Sequence, residues 1–108
     1  MNHDAGESGF GALAGLRVLE IGQLLAGPFC GQLLADMGAE VIKLEPPGVG
    51  DPMRQWGQVR PNGVSAWFAV VGRNKRCATL DLRTTEGQSL FKRLSETADI
   101  VIENFRPG

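Results

Sequence analysis

The sequence predicts an α/β fold, an open and mainly parallel sheet with flanking helices. Three observations carry this expectation. Short aliphatic runs recur at Leu16–Ile21, Ala39–Glu45, Cys77–Leu82 and Asp99–Glu103. Apolar residues at helical spacing lie between the first two runs and between the last two. The links are short, and two strands joined through a helix are parallel with a right-handed crossover. This is a Rossmann-like arrangement, and the closing Pro107-Gly108 pair leads us to expect an incomplete domain.

Each element has its own signal. Residues 1–13 are Gly-rich and polar and are expected to form a flexible tail, with the α/β portion covering 14–108. Leu16–Ile21 (LRVLEI) is β-branched and aliphatic, as strands are. Gly22–Gly27 follows as a loop. Pro28 suits the first helical position, where its missing N–H is not needed. Phe29, Leu33 and Met37 continue at i, i+4 and i+8, one helical stripe. Gly38 fits the position just past a helix end, and Ala39–Glu45 is the second strand. Pro46–Gly63 holds four prolines and four glycines without a period, so it reads as a long loop of the kind that is functional or mobile. Ser65–Val71 is expected to make one or two helical turns, and Arg73–Arg76 a basic turn. Thr84 fits an N-cap, with Glu86 placed well against the helix dipole. Leu90, Phe91, Leu94 and Ala98 share one face of the following helix. A Pro107-Gly108 pair usually opens a turn, which leads us to expect that the chain continues.

Composition narrows the function classes. The chain has 108 residues, a formal charge of −1 and 43% hydrophobic residues. A near-neutral chain lacks the positive footprint of a general nucleic-acid binder. Its apolar runs fall far short of the roughly 20 residues needed to span a bilayer. The first ten residues hold Asp4 and Glu7 and no Lys or Arg, unlike a signal peptide, so a cytoplasmic location is expected. The only histidine is His3, which excludes a Ser-His-Asp triad and a multi-His metal site. Cys30 and Cys77 are too few for a disulfide scaffold or a zinc site, and are expected as buried small hydrophobes. No metal ligands are assigned.

The loop Gly22–Pro28 feeds a helix from a strand, where open α/β sheets hold phosphates. Its spacing fits neither the Walker nor the dinucleotide pattern, so a tight turn and a ligand loop both remain. Arg73, Asn74, Lys75 and Arg76 suit either a phosphate-bearing ligand or solvent. Asp51 and Arg54 are expected as an exposed pair. Trp56 and Trp67 suit stacking, though Trp67, within an apolar run, is favoured for the core. Asp36, Asp81, Asp99, Glu20 and Glu45 all take structural readings, so no residue is assigned as catalytic.

The ordered pieces LRVLEIGQLLAGPFCGQLLADMGAEVIKLEPPGVGDPMR, NKRCATLDLRTTEGQSLFKRL and ADIVIENFRPG resemble the class III coenzyme A transferases. That family includes formyl-CoA transferase, carnitine-type CoA transferases and alpha-methylacyl-CoA racemase. The resemblance covers about residues 14–108. It implies transfer of CoA from an acyl-CoA to a carboxylic acid through an aspartyl intermediate. It places that aspartate downstream of ENFRPG, so the chain alone is expected to be inactive. It implies an interlocked homodimer, acyl-CoA and a carboxylic acid as substrates, and no permanently bound cofactor. The family's CoA contacts match Leu25 and Ala26 in the AGP loop, Leu80 at the end of the LDL strand and Arg83 at the basic position after it, and Asn104 and Phe105 in ENF, with Arg106 nearby. Some relatives hold a CoA phosphate with an arginine where this chain has Pro46. The racemase branch and a stand-alone nucleotide- or CoA-binding module are the alternatives.

Overall fold

The computed structural model describes residues 10–57, 62–63 and 65–107. Four strands form one parallel sheet: β1 (Arg17–Glu20), β2 (Glu40–Glu45), β3 (Lys75–Thr79) and β4 (Ile100–Ile102). Their spatial order is β3-β2-β1-β4. The helices are α1 (Ala26–Asp36), α2 (Ala66–Val71) and α3 (Thr85–Ser95), and a 3₁₀ turn spans Pro52–Gln55. The chain steps outward from β1 to β2 to β3, then returns through α3 to the other side of β1. That reversal makes the gap between β1 and β4 a topological switch point, beside which such sheets bind ligands at the strands' carboxyl ends.

Register decides which side chains share a face. Val18 pairs with Val41 and Ile100, and Glu20 pairs with Lys43, which in turn pairs with Cys77. Alternation then puts Val18, Val41, Ile100 and Ile102 on one face. There they pack with Ala35 of α1, Ala39, Leu13, Leu16 and Leu34 as the core. Leu19 and Leu44 are buried on the opposite face. Because the β3-to-β4 crossover runs against the β1-to-β2 one, right-handedness assigns α3 to that opposite face. Ahead of β1, the Leu13 amide donates to the Met37 carbonyl at 2.9 Å.

Several local expectations hold and several need correction. Gly38 ends α1 with φ of 104°, a conformation that favours glycine. Thr84 caps α3 by accepting from the Gly87 amide at 2.9 Å, and Ser65 caps α2. Pro28 is not the first residue of α1, which begins two residues earlier. It still falls in the first turn, where an N–H has no intrahelical partner. The stripe of Phe29, Leu33 and Met37 faces outward, at 49%, 44% and 44% exposure. The buried face of α1 is instead Gly27, Pro28, Gly31, Gln32 and Ala35, of which Gly27, Gly31 and Ala35 are small enough to let the helix sit close to the sheet. The third strand starts at Lys75, so Lys75 and Arg76 belong to the sheet and not to a basic turn. The long loop contains the 3₁₀ turn, and its residues 58–61 lie outside the described ones. Cys30 and Cys77 are both exposed: Cys30 lies off the buried face of α1, and Cys77 sits on the outermost strand. No helix among the described residues is long and apolar enough to cross a membrane.

Candidate functional site

An open groove of about 440 Å³ lies at the carboxyl ends of β1, β2 and β3. Its lining includes Ile21, Leu44 and Leu80 at or just past the strand ends, Pro46, Pro47 and Val49 of the long loop, and Gln23 and Phe105. Arg83 is the cation among its lining residues. The groove thus offers apolar flanks with one positive side chain, Arg83, and one carboxylate, Asp81, among its lining residues, and its apolar part suits a flat ring system. Arg83 also contacts Asp81 at 3.2 Å, and its side chain is 83% exposed, an exposed pair of the kind that contributes little to stability.

The structure brings Leu80, Arg83 and Phe105 together in this groove. Leu25 and Ala26 sit apart from it, at the start of α1, with Leu25 51% exposed. Arg106 is exposed beyond it. Asn104 is outside the groove's lining and holds the β1–α1 loop: its side-chain oxygen accepts from the Gln23 amide at 2.9 Å, and its nitrogen donates to the Gln23 carbonyl at 3.0 Å. Room for Asn104 comes from two glycines. A Cβ on Gly22 would stand 2.5 Å from Asn104 Oδ1, and one on Gly27 would stand 2.9 Å from Gly22 Cα. The spacing of Gly22 and Gly27 therefore serves close packing of strand end, helix start and amide.

Beneath the loop runs a buried ladder of alternating charge that the sequence did not reveal. Lys75 Nζ meets Glu20 Oε1 at 2.6 Å, Lys43 Nζ meets Glu20 Oε2 at 2.8 Å, and Lys43 Nζ meets Asp51 Oδ2 at 2.8 Å. All four side chains are at most 1% exposed. Glu20 Oε1 and Asp51 Oδ2 are held by charge alone, without a directed hydrogen bond. Burial works against the Lys43 ammonium, but Asp51 and Glu20 outweigh it and raise its pKa. Burial also acts first on Lys75, which has Glu20 alone among the carboxylates, and there burial wins and the pKa is lowered. Breaking such a pair leaves an uncompensated buried charge, a loss of roughly 3–5 kcal/mol.

Asp51 links this ladder to the loop above it. Its Oδ1 accepts from the Met53 amide at 2.9 Å, capping the 3₁₀ turn, and from the Leu24 amide at 3.1 Å. Leu24 has φ of 66°, a left-handed conformation that costs a residue with a side chain roughly 1–2 kcal/mol. Lys43 also donates to the Gly22 carbonyl at 3.2 Å. The backbone of Gly22, Gln23 and Leu24 is thus held by Lys43, Asn104 and Asp51 in turn.

Asp51 and Arg54 are therefore not an exposed pair. Asp51 is buried against Lys43, and Arg54 forms a two-pronged contact with Glu45, both arms at 2.8 Å, while lying 3.8 Å over the Phe68 ring. Arg73 and Asn74 both bond Asp36. Trp67 is 44% exposed and meets Trp56 edge-on at 6.0 Å between ring centres, so it is not a core residue. Asp81 accepts from the Arg83 amide and Asp99 from the Arg17 amide. These bonds tie each carboxylate into structure. Among the described residues no cluster of His, Cys, Asp or Glu could hold a metal ion.

A parallel sheet of order β3-β2-β1-β4 with a groove at its switch-point end is the architecture in which open α/β sheets place ligand sites. Residues 13–108 match the family model described as CoA-transferase family III, and the chain belongs to that family. It is 66% identical over 93 residues to the succinyl-CoA–D-citramalate CoA-transferase of Chloroflexus aurantiacus, covering 86% of this chain and 23% of that protein. It is 47% identical over 98 residues to the succinyl-CoA–L-malate CoA-transferase alpha subunit of Chloroflexus aurantiacus, covering 89% of this chain and 23% of that one. A crystal structure of a CaiB/BaiF family protein from Brucella suis superposes with a TM-score of 0.81 at 47% identity, covering 89% of this chain and 26% of that one. The chain spans about a quarter of the length of these relatives.

Proposed function

We propose that this chain supplies the coenzyme-A-binding α/β portion of an enzyme that moves CoA from an acyl-CoA to a carboxylic acid. The observation that carries this reading is the groove holding Leu80, Arg83 and Phe105 at the carboxyl ends of the strands. In this reading Leu80 and the Pro46–Pro47 wall flank the adenine, and Arg83 faces a phosphate. Leu25 and Ala26 present their backbone to the pantetheine arm as it leaves the groove. Asn104 acts by fixing Gln23, and Arg106 adds positive charge at the rim. The similarity to transferases named for succinyl-CoA makes a dicarboxylic acyl group the donor to examine first.

The chemistry proposed is attack of an aspartate on the thioester carbonyl. The C–S bond breaks, CoA leaves as thiolate, and a mixed anhydride forms. The thiolate then attacks the aspartyl carbonyl and releases the acyl group as its carboxylate, leaving an aspartyl-CoA thioester for the acceptor acid. Asp36, Asp51, Asp81 and Asp99 are engaged elsewhere, so none is assigned this role.

Calorimetric titration of CoA into the purified chain tests the binding reading. Binding is expected, weakened at least tenfold, about 1.4 kcal/mol, by Leu80→Asp. Arg83→Glu should weaken it and flatten its salt dependence. Absence of binding to the unaltered chain overturns the reading. Turnover of succinyl-CoA with a labelled acid by this chain alone, abolished by replacing one of its own aspartates, would overturn the assignment of the nucleophile.

A further inference from the structure

We propose that Asp51 is a positioning residue for CoA binding: from the long loop it holds Leu24 in the left-handed conformation and so sets the β1–α1 loop that presents Leu25 and Ala26. This rests on the CoA reading above and adds a residue to it that never meets the ligand.

The geometry points to this in three ways. First, Leu24 is one of two described non-glycine residues with positive φ, and its amide is bound by Asp51 Oδ1. A strained backbone persists only where its surroundings hold it, and such strain gathers at ligand sites. Second, Asp51 is itself fixed from several directions. Its amide donates to Glu45 Oε1 at 3.1 Å, its Oδ1 takes the Met53 amide, and its Oδ2 is ion-paired to Lys43. A carboxylate so restrained can hold an amide in place where a mobile one could not. Third, the hold is matched at the loop's other residues by Lys43 on Gly22 and Asn104 on Gln23. Leu24 is the point where the chain must turn left-handed before α1 begins at Ala26. Released, Leu24 would favour negative φ, and the chain entering α1 would swing with it.

Glycine offers a distinctive test because it adopts positive φ without help. Asp51→Ala is expected to weaken CoA binding about tenfold, the change that 1.4 kcal/mol makes. Adding Leu24→Gly to Asp51→Ala should restore the affinity to within about threefold of the unaltered chain. A residue that merely stabilises the fold would not be rescued in this way, so loss without rescue overturns the proposal. Asp51→Asn, which keeps an acceptor oxygen for Leu24, should bind more tightly than Asp51→Ala; equal affinities count against the proposal. If Asp51→Ala does not melt cooperatively, the surface pair Leu24→Val and Leu24→Gly decides. Weaker binding for valine alone supports the proposal, and equal affinities overturn it. If the unaltered chain binds no CoA, the CoA reading falls. The intraresidue amide-to-Hα NOE of Leu24, strong at positive φ and expected to weaken in Asp51→Ala while persisting in Asp51→Asn, then tests the hold by itself; an unchanged NOE in Asp51→Ala overturns it.

Discussion

Glu20 occupies the place that a side chain at Gly31 would need. A Cβ on Gly31 would stand 1.9 Å from Glu20 Oε1 and 3.3 Å from Lys75 Nζ. The helix can lie over a buried carboxylate because it presents nothing but backbone there.

That contact gives the first expectation. Gly31→Ala would normally favour a helix, since glycine is a poor helix former. Here it should destabilise the chain by about 2 kcal/mol, as overpacking does, because the carboxylate cannot retreat without leaving Lys75. Urea denaturation of the two proteins measures the difference. A stabilised Gly31→Ala variant would show that α1 has room to lift.

Lys75 provides a second. Lys75→Met strands half of the Glu20 carboxylate and should cost roughly 3 kcal/mol. Adding Glu20→Gln removes the stranded charge and leaves Lys43 paired with Asp51. The double variant should therefore be more stable than Lys75→Met alone, a coupling that a thermodynamic cycle resolves.

The pair of Glu45 and Arg54 makes the acid limb of stability predictable. Burial acts most strongly on Glu45 and would raise its pKa. The bonds from Arg54 and from the Asp51 amide, with the charges of Arg54 and Lys43, together win and hold it below the ordinary 4.5. A lowered folded-state pKa means the stabilisation is complete above 4.5 and is lost as pH falls through the folded value. In Arg54→Leu the decline below pH 4.5 should be shallower. Loss of the cation-π contact with Phe68 should add a roughly pH-independent offset. Denaturation midpoints followed from neutral to acid pH check both parts.

Much of the fold could be seen in the residues themselves. The runs around Val18, Val41 and Ile100 and the punctuation at Gly38 and Thr84 depend on near neighbours in the chain. What escaped depends on partners far along it. Phe29, Leu33 and Met37 make a regular stripe, but periodicity does not say which side of a helix meets the sheet. The small residues Gly27, Gly31 and Ala35 decided that by allowing close approach. Lys43, Lys75 and Glu20 look like surface residues until parallel register stacks them on one face. The alternation of Val41 with Lys43 was the available signal, since both must face the same way. Asp51 beside Arg54 suggests an exposed pair, because its bonds to Leu24 and Lys43 belong to the folded chain. The candidate site was legible as chemistry at Leu80, Arg83 and Phe105 only through the resemblance; composition alone singles out none of them.

The charge ladder also bears on how the sheet assembles. Its members come from β1, β2, β3 and the long loop. No one hairpin or helix can complete it. With only β1 and β2 paired, Glu20 and Lys43 would be drawn out of water while Lys75 and Asp51 were still absent. Partly assembled sheets carry a desolvation penalty that complete ones offset. The ladder therefore acts as a cooperativity device, favouring either the open chain or the whole sheet over anything between.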